Sequence, residues 1–334
     1  MLGSGPSDRE VAEAVRRWKG AELEEAIVAA DACAALVRSH AEWAGHAQAA
    51  AVAELPLLTV TKIGDSDPEV AGSGDRPLDG VRVLDVTHVL AGPTCARTLA
   101  EHGADVLRVS APQQPDAHPQ ILDTNLGKRC AYIDLRRADD LQRMRDLARS
   151  ADVFVQSWRP GSLDRMGLGA KDLAALRPGI VYVSVSCFGS DGPWAGRKGF
   201  EQMGQTASGI ALAEGDADGA GRPRLVPTYL LNDYLTAYLG AAGALMALSR
   251  RAREGGSYHV SVCLTRSSMW VQALGLQPLP AEVQTLASLR PVLCARDSAF
   301  GILEQLGPVA GFSRTPAHWA LPTAPLGSAA PAWA

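Results

Sequence analysis

The sequence lacks the cysteine and histidine pairs that build disulfide frameworks and zinc sites. Its six cysteines are scattered, and none forms a C-x-x-C pair. We therefore expect reduced thiols and no metal site. Neither sign of charge is in marked excess, because 32 basic and 36 acidic residues give a net charge of −4. This balance gives no reason to expect a nucleic-acid partner.

Long apolar runs are also missing. The longest, Tyr234 to Leu248, is rich in alanine and glycine and is too short to span a membrane, so it favours a buried helix. The first ten residues show no basic start followed by an apolar run. The sequence therefore predicts a cytoplasmic protein with no membrane partner.

Three motifs of common enzyme classes are absent. The first strand-to-helix turn has no G-x-G-x-x-G fingerprint, and neither G-x-x-x-x-G-K-[ST] nor G-x-S-x-G occurs in the chain. These absences disfavour a nicotinamide dehydrogenase, a P-loop enzyme and a serine hydrolase with a nucleophile elbow.

Short apolar runs alternate with helix-like segments through the middle of the chain. This alternation predicts a parallel sheet in an α/β domain. The predicted strands are Val81–Val86, Val106–Val109, Ala131–Leu135, Val153–Gln156 and Val181–Val185. The helix-like segments are Ala138–Ser150 and Ala170–Leu176, and a long apolar helix from about Asp233 to Arg253 precedes a further strand, Tyr258–Val262.

Two carboxylates are candidates for chemistry. Asp233 stands at the predicted start of the long helix, where it could cap the helix by accepting a backbone N–H. The same N–H groups would also hold a nucleophilic carboxylate ionised. Glu201 is either a surface carboxylate or a second group in the same pocket, with an acid–base or orienting role.

Five cations lie near predicted strand ends. They are either part of a solvated surface or partners for the phosphates of a ligand. These residues are Lys128, Arg129, Arg159, Arg165 and Lys198.

Five blocks, in the same order and over about half of the chain, resemble the class III CoA-transferases. This family includes formyl-CoA transferase, carnitine CoA-transferases and α-methylacyl-CoA racemase. The helix that begins at Asn232 follows the blocks and also matches. The blocks span Pro77 to Val109, Gly127 to Arg137, Ala151 to Gly169, Arg177 to Gly196 and Gly199 to Gly209.

The resemblance implies a Rossmann-like parallel sheet flanked by helices, which binds CoA. It places the adenine near the loop after the first strand. Acyl-CoA is then a substrate, with no permanently bound cofactor. The implied CoA-contacting residues are Val89, Leu90, Ala91, Trp158, Arg165 and Lys198.

The resemblance also implies a covalent mechanism. Asp233 falls where the family has its catalytic aspartate, and Glu201 where transferases place a second glutamate. CoA would move between carboxylic acids through an aspartyl-CoA intermediate. Members of the family work as interlocked dimers, so we expect a homodimer or a partner chain.

The predicted organisation has three parts. Residues 1–76 resemble the end of the family's small domain, a partial α+β segment followed by a linker. Residues 77–275 form the large CoA-binding domain, and residues 276–334 form an irregular tail. The chain thus resembles a rearranged or shortened member of the family.

Two departures and one alternative bear on the activity. Phe200 stands where racemases carry a histidine, which favours transfer over racemisation. Leu90 replaces a glutamine of formyl-CoA transferase, so formyl or oxalyl specificity is not expected. The alternative is a non-catalytic CoA-binding subunit that depends on a partner chain.

Overall fold

The computed structural model describes residues 2–70, 72, 74–114, 116–216, 222–226, 230–275 and 285–334. Within these ranges the strands are β1 (Leu58–Gly64), β2 (Arg82–Val86), β3 (Asp105–Ser110), β4 (Lys128–Tyr132), β5 (Val153–Gln156), β6 (Val181–Ser186), β7 (Ser257–Cys263), β8 (Leu293–Ser298) and β9 (Gly301–Leu306). The helices are α1 (Asp8–Val15), α2 (Gly20–Ala29), α3 (His40–Ala44), α4 (Ala47–Ala53), α5 (Ala91–Glu101), α6 (His118–Thr124), α7 (Ala138–Ala148), α8 (Ala170–Leu176), α9 (Glu201–Ser208), α10 (Ile210–Asp216), α11 (Leu231–Glu254), α12 (Leu264–Ala273) and α13 (Leu286–Leu289).

Seven strands form one sheet in the order β1-β7-β6-β5-β2-β3-β4. β2 pairs in parallel with β3 and β5, β4 pairs in parallel with β3, and β6 with β5. Counted from β2, this is the strand order 3-2-1-4-5-6 of a Rossmann sheet, extended by the antiparallel strand β1. The predicted α/β fold is confirmed.

Both faces of the sheet are covered, which explains why its strands read as continuous apolar runs. Successive side chains of a strand point to opposite faces. Val83 accordingly belongs to a buried cluster with α5 and α11, whereas Leu84 belongs to a second cluster with α7 and α8. Both side chains are completely buried.

The alanine- and glycine-rich stretch forms the buried helix that its composition predicts. Ala237, Ala241 and Ala244 of α11 are buried against the sheet. A β-carbon added at Gly243 would collide with the side chain of Val260 on β7, so a glycine is needed for this close approach. No helix in the described part of the chain combines the length and apolarity needed to cross a bilayer.

The predicted third strand was placed three residues too late. It was expected at Ala131–Leu135, but β4 spans Lys128–Tyr132. Its first residue is charged yet completely buried, because the Lys128 Nζ lies 2.7 Å from Asp85 Oδ2 and 2.6 Å from the Pro93 carbonyl oxygen. A buried ion pair hides this strand start from a search for apolar runs.

Contacts between Cα atoms divide the chain into two compact units. The helical unit comprises Met1–Leu57, Ser186–Asp233 and Cys263–Gly275, and the sheet unit comprises Leu58–Val185, Tyr234–Val262 and Leu276–Ala334. The helical unit has its own core, which includes Trp43, Phe188 and Trp194. The predicted division at residues 76 and 275 stays a prediction.

The ends of the chain are more ordered than an irregular tail suggests. The first part of the chain, predicted as a partial α+β segment, contains α1 to α4 before β1. Part of the tail lies outside the described residues, but β8 and β9 form an antiparallel hairpin. The hairpin was not predicted, since none of its residues is buried and its sequence gives no clear apolar alternation.

The Lys128–Asp85 pair is expected to contribute strongly to stability. Lys128→Ala should lower the free energy of unfolding by about 3–5 kcal/mol, because Asp85 would be left as a buried unpaired charge. Urea denaturation measures this loss. Arg149→Ala, which breaks an exposed pair with Asp146, is the control and should cost less than about 1 kcal/mol. Equal losses in the two variants would contradict the prediction.

Candidate active site

Asp233 is the third residue of α11, which begins at Leu231. One interpretation of the sequence predicted Asp233 as the N-cap of this helix. It lies instead within the first helical turn. Only 5% of its surface is exposed. The unsatisfied N–H groups of a first turn favour an ionised carboxylate. Burial of that carboxylate keeps bulk water away from it.

Glu201, the first residue of α9, is more deeply buried still, with 1% of its surface exposed. Its Oε1 accepts three hydrogen bonds: from Gln205 Nε2 at 2.6 Å, from the Asn232 backbone N–H at 3.1 Å and from Asn232 Nδ2 at 2.9 Å. Its Oε2 is buried and has no hydrogen-bond partner among the described residues. The carboxyl group therefore faces amides rather than solvent.

Burial raises the pKa of Glu201, and the hydrogen bonds from Gln205 and Asn232 only partly oppose that shift. Neither of these partners carries a charge. The neutral acid is therefore more favoured at this position than in an ordinary glutamate.

Lys198 and Phe200 lie just before α9. The Lys198 Nζ contacts Asp31 Oδ2 at 2.5 Å and the Asp31 carbonyl oxygen at 2.7 Å. The predicted CoA-binding cation is thus engaged in an ion pair within the helical unit. Phe200, the residue that replaces the racemase histidine, is 44% exposed.

In the sheet unit, the loop between β2 and α5 is anchored at both ends. At its start, the Asp85 carboxylate accepts hydrogen bonds from the backbone N–H and the hydroxyl of Thr87. The ammonium group of Lys128 joins that carboxylate to the carbonyl of Pro93, near the start of α5. Burial lowers the pKa of Lys128, and the charge of Asp85 opposes this shift.

The middle of this loop carries the predicted adenine contacts. Val89 has φ +68°, which is unfavourable for a β-branched residue. Its N–H donates to Asp116 Oδ1 at 3.2 Å. Leu90 and Ala91 are both buried, so this turn exposes little of either residue.

Asp116 fixes the loop from the outside. Its carboxylate contacts His88 Nδ1 at 3.3 Å and forms an ion pair with the buried Arg108. Burial raises the pKa of Asp116, but the hydrogen bond with His88 and the charge of Arg108 outweigh it, and the pKa is lowered. An ionised Asp116 therefore holds the backbone of Val89.

Trp158 lines a cleft of about 570 Å³, which is open to solvent. The cleft also contacts Val86, Ser110 and Ile133, which lie at the carboxyl ends of β2, β3 and β4. The Trp158 indole donates to the Val86 carbonyl at 2.9 Å, and its ring lies 6.1 Å from that of His88. An aromatic face is thus placed where α/β sheets bind their ligands.

The sequence interpretation missed three polar residues of this cleft: His88, Asp134 and Arg136. The Arg136 guanidinium pairs with Asp134 at 2.8 Å. Both residues come shortly after the end of β4, the place at which ligand-binding side chains are expected. The misplaced end of that strand concealed them.

The predicted phosphate-binding cations are not alike. Lys128 is buried in its ion pair with Asp85, and Arg129 pairs with Asp105 at 2.7 Å. Lys128 is thereby ruled out as a phosphate ligand, because its charge is fully enclosed. Arg165 is exposed, in a 3-10 turn (Asp164–Met166), with its guanidinium 3.4 Å from Ser162 Oγ.

A cleft beyond the carboxyl ends of a parallel sheet, with helices on both faces, is the ligand-binding arrangement of doubly wound α/β proteins. Residues 78–286 match the family model described as CoA-transferase family III. The chain belongs to this family.

Comparison with known proteins gives relatives that are named as CoA-transferases. The chain is 39% identical over 208 residues to an acetyl-coenzyme A transferase of Hypoxylon pulicicidum, covering 61% of this chain and 35% of that protein. It is 32% identical to the β subunit of succinyl-CoA–L-malate CoA-transferase of Chloroflexus aurantiacus, covering 57% and 50%. A CaiB/BaiF family protein of Brucella suis has a similar structure, with a TM-score of 0.55 and 26% identity over 71% of this chain and 61% of that one. The chain thus spans half or less of the length of these two curated relatives.

The buried Glu201 should make stability depend on pH. Because its pKa is raised, the folded protein retains the proton when the unfolded chain loses it. Its contribution to the free energy of unfolding therefore falls as the pH rises above about 4.3, the ordinary glutamate value. Glu201→Gln, which is neutral at every pH, should gain in melting temperature relative to wild type as the pH rises.

Thermal unfolding followed by circular dichroism between about pH 4.5 and pH 8 tests this sign. Glu13→Gln, on the exposed surface of α1, is the matched control and should show no such trend. If the melting-temperature advantage of Glu201→Gln over wild type shrank as the pH rose, the raised pKa of Glu201 would be refuted.

Proposed function

We propose that this chain transfers CoA between carboxylic acids, with Asp233 as the nucleophile. The observation that carries the proposal is the family match over residues 78–286, with Asp233 in the first turn of a buried helix. Helix N–H groups stabilise both the ionised nucleophile and the oxyanions that form from it.

The proposed reaction splits one exchange into acyl transfers at Asp233. The Asp233 carboxylate attacks the donor thioester and expels the CoA thiolate, which leaves an aspartyl anhydride. The thiolate attacks the aspartyl carbonyl, releases the donor acid and forms aspartyl-CoA. The acceptor carboxylate then expels the thiolate to give a second anhydride. Attack of the thiolate on the acceptor's acyl carbon completes transfer and restores Asp233.

CoA binding is assigned to the remaining family positions. The indole of Trp158 suits an adenine ring, and the Arg165 guanidinium suits a phosphate. The turn at Val89, Leu90 and Ala91 completes the proposed CoA-binding positions. Lys198, which pairs with Asp31 in the free protein, would exchange that carboxylate for a phosphate.

The substrates are proposed from chemistry and kinship. One relative is named an acetyl-coenzyme A transferase and another a succinyl-CoA–L-malate CoA-transferase. The donor for this chain is therefore proposed to be an acyl-CoA and the acceptor a small carboxylic acid. CoA enters and leaves as a substrate, so no permanently bound cofactor is required.

Asp233→Ala should lower the rate of CoA transfer at least about 1,000-fold, the usual effect of removing a covalent nucleophile. CoA binding should persist. Mass spectrometry after incubation with acyl-CoAs should find a hydroxylamine-sensitive CoA adduct on Asp233 in wild type and none in the variant. Asp139→Ala, at an exposed position of α7, is the control. Normal transfer by Asp233→Ala would overturn the mechanism.

Trp158→Ala should weaken CoA binding by about 1–3 kcal/mol, the usual worth of one stacked base, or roughly 5- to 150-fold in Kd. Trp158→Phe keeps an aromatic face but loses the hydrogen bond to Val86, so its loss should be smaller. Calorimetry with CoA measures both. Equal affinities in all three proteins would remove Trp158 from the site.

A second candidate is a CoA-binding subunit that transfers only with a partner chain, or as a homodimer. It is favoured by the subunit name of one relative, the β subunit of a succinyl-CoA–L-malate CoA-transferase. Transfer should then require a second protein, such as the product of a neighbouring gene, while CoA binding does not. Full activity of the isolated monomer would eliminate this candidate.

A further inference from the structure

A buried chain of hydrogen bonds joins α9, α11 and α12 in the helical unit. The Val226 N–H donates to Gln205 Oε1 at 2.9 Å, and Gln205 Nε2 donates to Glu201 Oε1. Asn232 donates both its N–H and its Nδ2 to Glu201, and its Nδ2 also donates to Ser268 Oγ at 2.8 Å. The side-chain members of this chain are all at most 1% exposed.

The network provides a hydrogen-bond acceptor for a backbone N–H group at the start of α11. The first N–H groups of a helix have no partner within the helix, and the residue before α11 is Leu230, whose side chain cannot accept a hydrogen bond. Glu201, 31 residues away, accepts from the Asn232 N–H instead. Its carboxyl group thereby caps α11 from another helix, directly beside Asp233.

We propose that Glu201 is a positioning residue, which fixes the backbone of Asp233 by holding Asn232, and not an acid–base group that exchanges protons with the substrate. The proposal rests on Asp233 being the nucleophile. One Glu201 oxygen is fully used by three amide donors, and the other is enclosed. Neither oxygen is presented to solvent.

The two roles differ in what a neutral isostere does. Glutamine at position 201 keeps a carbonyl oxygen where Oε1 now accepts its three hydrogen bonds, so a positioning role survives. It cannot take up or release a proton, so an acid–base role is lost. Alanine removes the acceptor altogether, so all three hydrogen bonds are lost, including the one from the Asn232 backbone N–H.

The test compares Glu201→Gln, Glu201→Ala and the control Gln202→Ala, a neighbour on α9. We expect Glu201→Gln and the control to keep kcat within about threefold, with an unchanged pH profile. Glu201→Ala should lose about 100-fold in kcat, the effect of a small misplacement, with KM for acyl-CoA little changed. A Glu201→Gln variant as slow as Glu201→Ala would overturn the proposal, as would a fully active Glu201→Ala.

Hydrogen exchange of a peptide that covers residues 231–235 gives a readout without activity. Exchange should accelerate in Glu201→Ala but not in Glu201→Gln, and unchanged exchange in both would contradict the capping role. If the Asp233→Ala variant transfers CoA while exchange follows this pattern, the proposed function fails and the cap stands.

Should Glu201→Ala not fold, Asn232→Ala takes its place. This variant keeps the backbone donor and loses the bonds of Nδ2 to Glu201 and Ser268. It should lose about tenfold in kcat, since only part of the restraint on Asp233 is gone. An unchanged kcat in Asn232→Ala would refute the positioning role.

Discussion

The sheet unit depends on one ion pair that water does not reach. Lys128 and Asp85 are both completely buried, and enclosing two charges has a high desolvation penalty. The pair offsets that penalty with further hydrogen bonds, to Thr87 on one side and to the Pro93 carbonyl on the other. Thr87 and Pro93 lie at the two ends of the β2–α5 loop. The ion pair therefore sets the path of the backbone through Val89, Leu90 and Ala91.

The helical unit orders the start of α11 by a different means. One carboxyl oxygen of Glu201 accepts hydrogen bonds from the amides of Gln205 and Asn232, and the Asn232 side chain also donates to the hydroxyl group of Ser268. Such a network orders a helix start with uncharged donors.

The apolar runs were sufficient to predict the sheet, because a strand buried on both faces is recognisable by composition alone. β5 was predicted with its observed limits, whereas β4 was misplaced because its start is polar and paired. The network at Glu201 was beyond reach, since Glu201 and Asn232 are distant in sequence and each resembles an ordinary polar residue. The family resemblance singles out both carboxylates as candidates but does not indicate what surrounds them. The β8–β9 hairpin could not be predicted, because its sequence shows no clear apolar alternation.

The left-handed backbone of Val89 has a consequence for recognition. A β-branched residue at φ +68° is held there only if its surroundings determine it, and the carboxylate of Asp116 does so through the Val89 N–H. The turn is thus rigid before any ligand arrives, so the entropy of ordering it is lost on folding and not on association. If CoA binds here as proposed, it would meet a turn that is already ordered.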